Sequence, residues 1–106
     1  MLLRLLSFLR GKSDRHPRWA SVRKDHLRRE PACAACGGSR KLEVHHILPV
    51  SAPGGREREL DPDNLITLCE PHHALFGHFM DYCSWNPSVR EDATHWRERI
   101  RNRPRI

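Results

Sequence analysis

The sequence has no apolar run approaching the roughly 20 residues that a membrane-spanning helix needs. It also has no internal repeat and no low-complexity tract, which removes solenoid and array architectures. Hydrophobic residues are scarce, at 38% of a chain of only 106 residues. So short a chain buries a modest core, which points to one domain held by something besides packing, such as a metal or a disulfide. Acidic residues are outnumbered, with 13 Asp plus Glu against 19 Lys plus Arg and a net charge of +6. That balance favours polyanionic partners, nucleic acid first, because each neutralised phosphate releases counterions. A merely soluble basic surface is the plainer alternative.

Cysteines are few: Cys33, Cys36, Cys69 and Cys83. An even count could mean two disulfides, but the opening stretch "MLLRLLSFLRGK" makes a poor secretory leader. Its apolar part is short, is cut by Arg4 and leads to no small-residue cleavage site. It reads better as an amphipathic helix that docks on the domain, or weakly on a lipid surface, or as a disordered arm, over residues 1–16. The domain proper is then 17–106. A reducing, cytoplasmic setting is expected, where Cys-x-x-Cys means metal or redox chemistry.

Turning to what is present, "RWASVRKDHLRR" at 18–29 has helical spacing, with Trp19, Val22 and Leu27 on one side and basic residues outward. Pro31 ends it. "CAACGG" is a tight loop, "KLEVHHIL" a strand, and 51–63 a long polar loop punctuated by proline and glycine. "NLITLC" is a second strand. Pro71 starts a helix, "PHHALFGHFMDY", and a last helix at about 89–102 sets Val89, Ala93, Trp96 and Ile100 three or four apart. The fold class is α+β: two strands and a helix, with flanking helices.

Cys33-x-x-Cys36 is half of a tetrahedral zinc site, and Cys69-x-x-His72 has the spacing of the other half. A structural Zn²⁺ on Cys33, Cys36, Cys69 and His72 would tie the strand pair to the helix. Two alternatives stand beside it. Cys83 could replace His72, or Cys33 and Cys36 could be a redox dithiol, which leaves Cys69 and His72 without a role. One residue after His72, His73 projects about 100° further round the helix. That direction faces the strands, where His45 and His46 lie.

The ordered set "CAAC", "LEVHHILPVSAPGG", "DPDNLITLC" and "EPHH" resembles the HNH endonuclease family in its zinc-stapled form, over residues 33 to about 80. The resemblance implies a small ββα-metal domain that hydrolyses DNA phosphodiester bonds with a catalytic divalent cation: Mg²⁺, Mn²⁺, Ni²⁺ or Zn²⁺. By position it makes His46 the general base, His45 and His73 metal ligands, and Asn64 the middle letter of the motif, orienting the loop through its amide. The strand is then expected to break or end at His45–His46, so that both rings reach one cavity.

Two positions depart from the family pattern. His72 stands where a cysteine is usual. Gly77 stands where many members place a third catalytic ligand, with His78 next to it. Either the helix is distorted around Gly77 so that His78 reaches the metal, or water fills the gap. Arg56 and Arg58 in the long loop are expected near phosphates, unless 51–63 is a disordered connector. Helix 18–29 and the tail "RERIRNRPR" would add sequence-independent contacts to double-stranded DNA. The competing functions are a non-catalytic zinc-stabilised nucleic-acid-binding module and a protein-interaction module attached by the apolar N-terminus.

Overall fold

A computed structural model describes residues 15–106, so the N-terminal arm up to residue 14, with its expected docking, lies outside the described residues. The chain runs through α1 (Trp19–Arg29), β1 (Leu42–His46), 3₁₀ turns at Arg56–Arg58 and Pro62–Asn64, and β2 (Leu65–Cys69). One α-helical turn follows, α2 (Glu70–His72), continuing as a π-helical turn over His73–Gly77, and α3 (Val89–Arg101) comes last. Among the described residues, no helix is long and apolar enough to cross a membrane.

The strands pair antiparallel, with Glu43 opposite Leu68, His45 opposite Ile66 and His46 opposite Leu65. Directly opposed residues share a face and neighbours along a strand alternate. Glu43, His45, Ile66 and Leu68 therefore line one face, while Val44, His46, Leu65 and Thr67 line the other. Both faces are covered, so all five residues of β2 are buried. The core joins Ile66 and Leu68 to Val89 and Ala93 of α3 and to Cys33 and Ala35 of the tight loop. Ala34 N–H donates to the Thr67 carbonyl at 2.9 Å, which fixes that loop to β2.

Three expectations need correction. The helix after β2 does not continue to residue 82. It ends at Gly77, and Phe79 and Met80 take left-handed φ values of 52° and 66°. In α1 the most buried residue is His26 rather than an apolar one, set against Glu30 at 2.7 Å. In α3, Trp96 leaves the core and packs at its edge, 6.1 Å from the Phe76 ring.

The 51–63 loop is built rather than loose. Gly55 is buried where a Cβ would lie 1.8 Å from the Pro49 carbonyl oxygen, a contact only glycine permits. Asn64, with no exposed surface, pins the loop to the end of β1. Its Oδ1 accepts from Leu48 N–H at 2.8 Å, and its Nδ2 donates to the Leu48 and Arg58 carbonyls, both at 3.1 Å. Asn64→Ala orphans these buried groups, so the unfolding free energy is expected to fall by about 2–4 kcal/mol. Urea denaturation monitored by tryptophan fluorescence measures it; a loss under about 0.5 kcal/mol would contradict the pinning role.

Candidate metal centre

Two clusters of ligating atoms converge on α2 and its π turn from opposite sides. The first joins Cys33, Cys36, Cys69 and His72, whose donor atoms all lie within 4.8 Å of one another. Cys36 and Cys69 Sγ atoms are 3.9 Å apart, and His72 Nδ1 lies 3.7 Å from Cys33 Sγ and 3.2 Å from Cys69 Sγ. Bonds of about 2.3 Å to sulfur and about 2.0–2.1 Å to nitrogen around a tetrahedral ion set edges of about 3.8 and 3.6 Å. The donor set and its edges therefore suit a metal such as zinc. Cys83 is exposed and outside the cluster.

Burial pushes the Cys33 thiol up, but N–H groups of Cys69, Cys36 and Ala35, with His72, more than offset it and bring it to about 7. The thiol of Cys69 is instead pushed up to about 11, by burial first. A bound cation would deprotonate both.

The second cluster joins His45, His73 and His78. The ring centroids of His45 lie 4.9 Å from His73 and 4.8 Å from His78. His73 Nδ1 donates to Glu43 Oε1 at 3.0 Å, and His78 Nδ1 donates to the Ser84 carbonyl at 2.7 Å. A neutral imidazole carries one proton, and these acceptors claim it on Nδ1. Both Nε2 atoms are thus lone pairs, and they face each other at 3.2 Å. His45 Nε2 is buried with no hydrogen-bond partner. Two nitrogens on one ion at about 2.0–2.1 Å would sit about 2.9–3.3 Å apart. Three imidazoles each offering one nitrogen within 4.8 Å of the others, two of them as opposed lone pairs, have the donor pattern of a cation site.

The π turn makes this possible. With i→i+5 bonding, a turn holds one more residue than in an α-helix. His78 is the fifth residue after His73, so it returns to the His73 side. Gly77 is not a gap in the ligand set: a Cβ there would lie 3.0 Å from His45 Cε1 and Nδ1 and 3.1 Å from His73 Cδ2. Its hydrogen lets the His45 ring press against the turn. Burial, and then the neighbouring His73, His78 and His46, lower the His45 pKa to about 3, so this ring stays neutral and able to ligate.

Tight-loop cysteines, two strands and a histidine-bearing helix occur here in one order, and residues 33–80 match the family described as HNH endonuclease. That match spans 48 of the chain's 106 residues. No curated protein and no solved structure matches the chain.

The resemblance implied a strand that breaks or ends at His45–His46, and β1 does end at His46. It is paired regularly up to that residue, so the two side chains leave on opposite faces of the hairpin. His46 keeps 8% of its surface, with its ring 4.4 Å from Trp19 and its Nε2 donating to the Glu59 carbonyl at 2.9 Å. Burial lowers its pKa, partly opposed by that carbonyl. Asn64 is one residue removed from the same carbonyl, through its bond to Arg58 O. Arg56 and Arg58 are exposed in the loop, and Arg58 is paired with Asp61 at 3.3 Å. The sequence reading passed over Glu43, the residue two before His45 and so on its face, as the partner that orients His73.

Two outcomes follow for the metals. Cys69→Ser should remove the metal held by the cysteines and lower the thermal midpoint by more than about 10 °C, since that metal's binding is folding free energy. Elemental analysis with calorimetry checks this; unchanged metal and midpoint would overturn the ligand set. Gly77→Ala should retain that metal, yet raise the Kd of a second ion by about 10- to 100-fold, as displaced supporting geometry typically does. Titration calorimetry with Mn²⁺ or Ni²⁺ measures the second ion.

Proposed function

We propose that this HNH domain is an endonuclease that hydrolyses DNA phosphodiester bonds with a divalent cation on His45, His73 and His78. A structural zinc on Cys33, Cys36, Cys69 and His72 holds the frame. The observation that carries the reading is the opposed Nε2 pair of His73 and His78, with a His45 ring nitrogen in the same cluster. When bound, a divalent cation there would offset charge on the scissile phosphate and on the departing oxygen.

The chain's own residues supply the rest. Glu43 and the Ser84 carbonyl keep the Nδ1 protons in place, so His73 and His78 present only lone pairs inward. A carbonyl can only accept, so in neutral His46 the proton sits on the nitrogen facing Glu59 and the lone pair is on Nδ1. Its lowered pKa favours the neutral ring. The resemblance assigns that lone pair the proton of an attacking water, which must approach at the end of β1, where the two faces meet. Asn64 steadies the segment whose carbonyl orients the ring. Exposed Arg18 just before α1 and Arg23, Lys24 and Arg28 along it, with the C-terminal arginines, can hold the DNA backbone.

A second reading has its own observation: Trp19 covers His46, and the two neighbouring histidines part to opposite faces. A binding module that has kept the scaffold without the chemistry fits that arrangement. Supercoiled plasmid incubated with the protein and Mg²⁺, Mn²⁺, Ni²⁺ or Zn²⁺ separates the readings. Nicking by wild type, reduced about 10²- to 10⁴-fold in His45→Ala and in His46→Ala, is the expected result. Wild type that shifts plasmid in a gel but nicks with none of the four ions would favour the binding module. Nicking retained in His46→Ala alone would remove only the general-base assignment.

A further inference from the structure

Three of the chain's seven Phe, Trp and Tyr residues fall in the stretch "FMDYCSW" at 79–85, directly after the π turn. Phe79 is 57% exposed, Met80 69%, Tyr82 57% and Trp85 40%. In a protein short of core material, so many large apolar side chains left in water at one place mark a binding surface. The stretch is also stiff. Met80 N–H donates to Ala74 O at 2.7 Å, Cys83 N–H donates to Asp81 Oδ1 at 2.9 Å, and Ser84 Oγ donates to Asp81 Oδ2 at 3.2 Å. These bonds hold Phe79 and Met80 at the positive φ that side chains disfavour. Such strain persists only where the surroundings impose it, so the side chains are presented before any ligand arrives.

The surface is continuous with the metal centre. The Tyr82 ring lies 4.7 Å from His78 and 5.8 Å from His73, and the Ser84 carbonyl is what orients His78. Its chemistry is not that of a phosphate track. The stretch contains no Lys or Arg, and Glu43 and Glu70 add negative charge near Tyr82. Flat neutral rings suit it, because aromatic side chains stack on any base without reading its edge.

We infer that Phe79, Tyr82 and Trp85 form a stacking platform for unpaired nucleobases beside the scissile phosphate. Resting on the endonuclease reading, this narrows the substrate from intact duplex to single-stranded or locally unpaired DNA. The basic surfaces hold the backbone, and the platform takes bases that a closed helix keeps stacked inside.

The test uses the full chain, without added divalent metal, and fluorescence anisotropy with three labelled oligonucleotides: a single strand, its duplex, and an abasic strand of equal length. The single strand should bind about tenfold or more tightly than the abasic one. The double variant Phe79→Ser/Trp85→Ser alters exposed side chains that ligate nothing themselves but adjoin His78 and Ser84, and unchanged metal content verifies its fold. It should lose about 10- to 100-fold in affinity for the single strand, in line with about 1–3 kcal/mol per stacked base. Its duplex affinity should stay within about twofold. Tyr82→Phe should bind as wild type, whereas Tyr82→Ser should weaken.

An abasic strand bound as tightly as the normal one, or unchanged strand affinity in the double variant, overturns the platform. So does a variant whose only change is reduced self-association, which would make the patch a protein contact. Plasmid nicking by wild type, run in parallel, keeps the two ideas apart. Nicking with base-independent strand binding sinks the platform alone. Base-dependent strand binding without nicking supports the platform and sinks the nuclease.

Discussion

With both Nδ1 atoms turned to acceptors, the Nε2 atoms of two imidazoles face each other across a gap that a cation would satisfy. That constraint at His73 and His78 explains much of what surrounds them. Each ring is turned inward because its other nitrogen is claimed, one by a carboxylate from β1 and one by a carbonyl from the loop after the π turn. Glu43 can do this only because it shares a strand face with His45. Ser84 can do it only because Asp81 gathers the loop at 81–84 into a closed turn. Helix, strand and loop are thus each committed to the same small volume. The cysteine cluster holds the helix start where this can happen.

The hairpin has two working sides. On the side facing α2 it contributes His45 and Glu43 to the cation cluster, and Ile66 and Leu68 to the core. The other side carries His46, enclosed by Trp19 of α1 and by the loop that Asn64 pins. A doublet of identical residues is therefore two different residues in function. Strand alternation, rather than residue type, decides which side each one serves.

Much of this could be read from the residues alone. Paired ligand spacing located the cysteine cluster, and the order of motifs located the strands and the helix to within a few residues. Other features required packing to become visible. His26 looks like a surface residue of a basic helix, yet the fold turns it inward. The π turn has no spacing signature of its own, and Gly77 reads as a missing ligand until the His45 ring is seen against it. The strand ends at His46, as the nearby Pro49 suggested, but the parting of the two rings was not legible, since it rests on the regular pairing of His46 with Leu65.

The wider turn at His73–Gly77 has a mechanical consequence. One additional residue within a helix would swing every later side chain by about 100°. Here the wide turn is the last of its helix, so no further helical turn follows to be displaced, and the partner of His73 stands five positions on instead of four. The scaffold before the turn is thereby untouched by where the final donor falls.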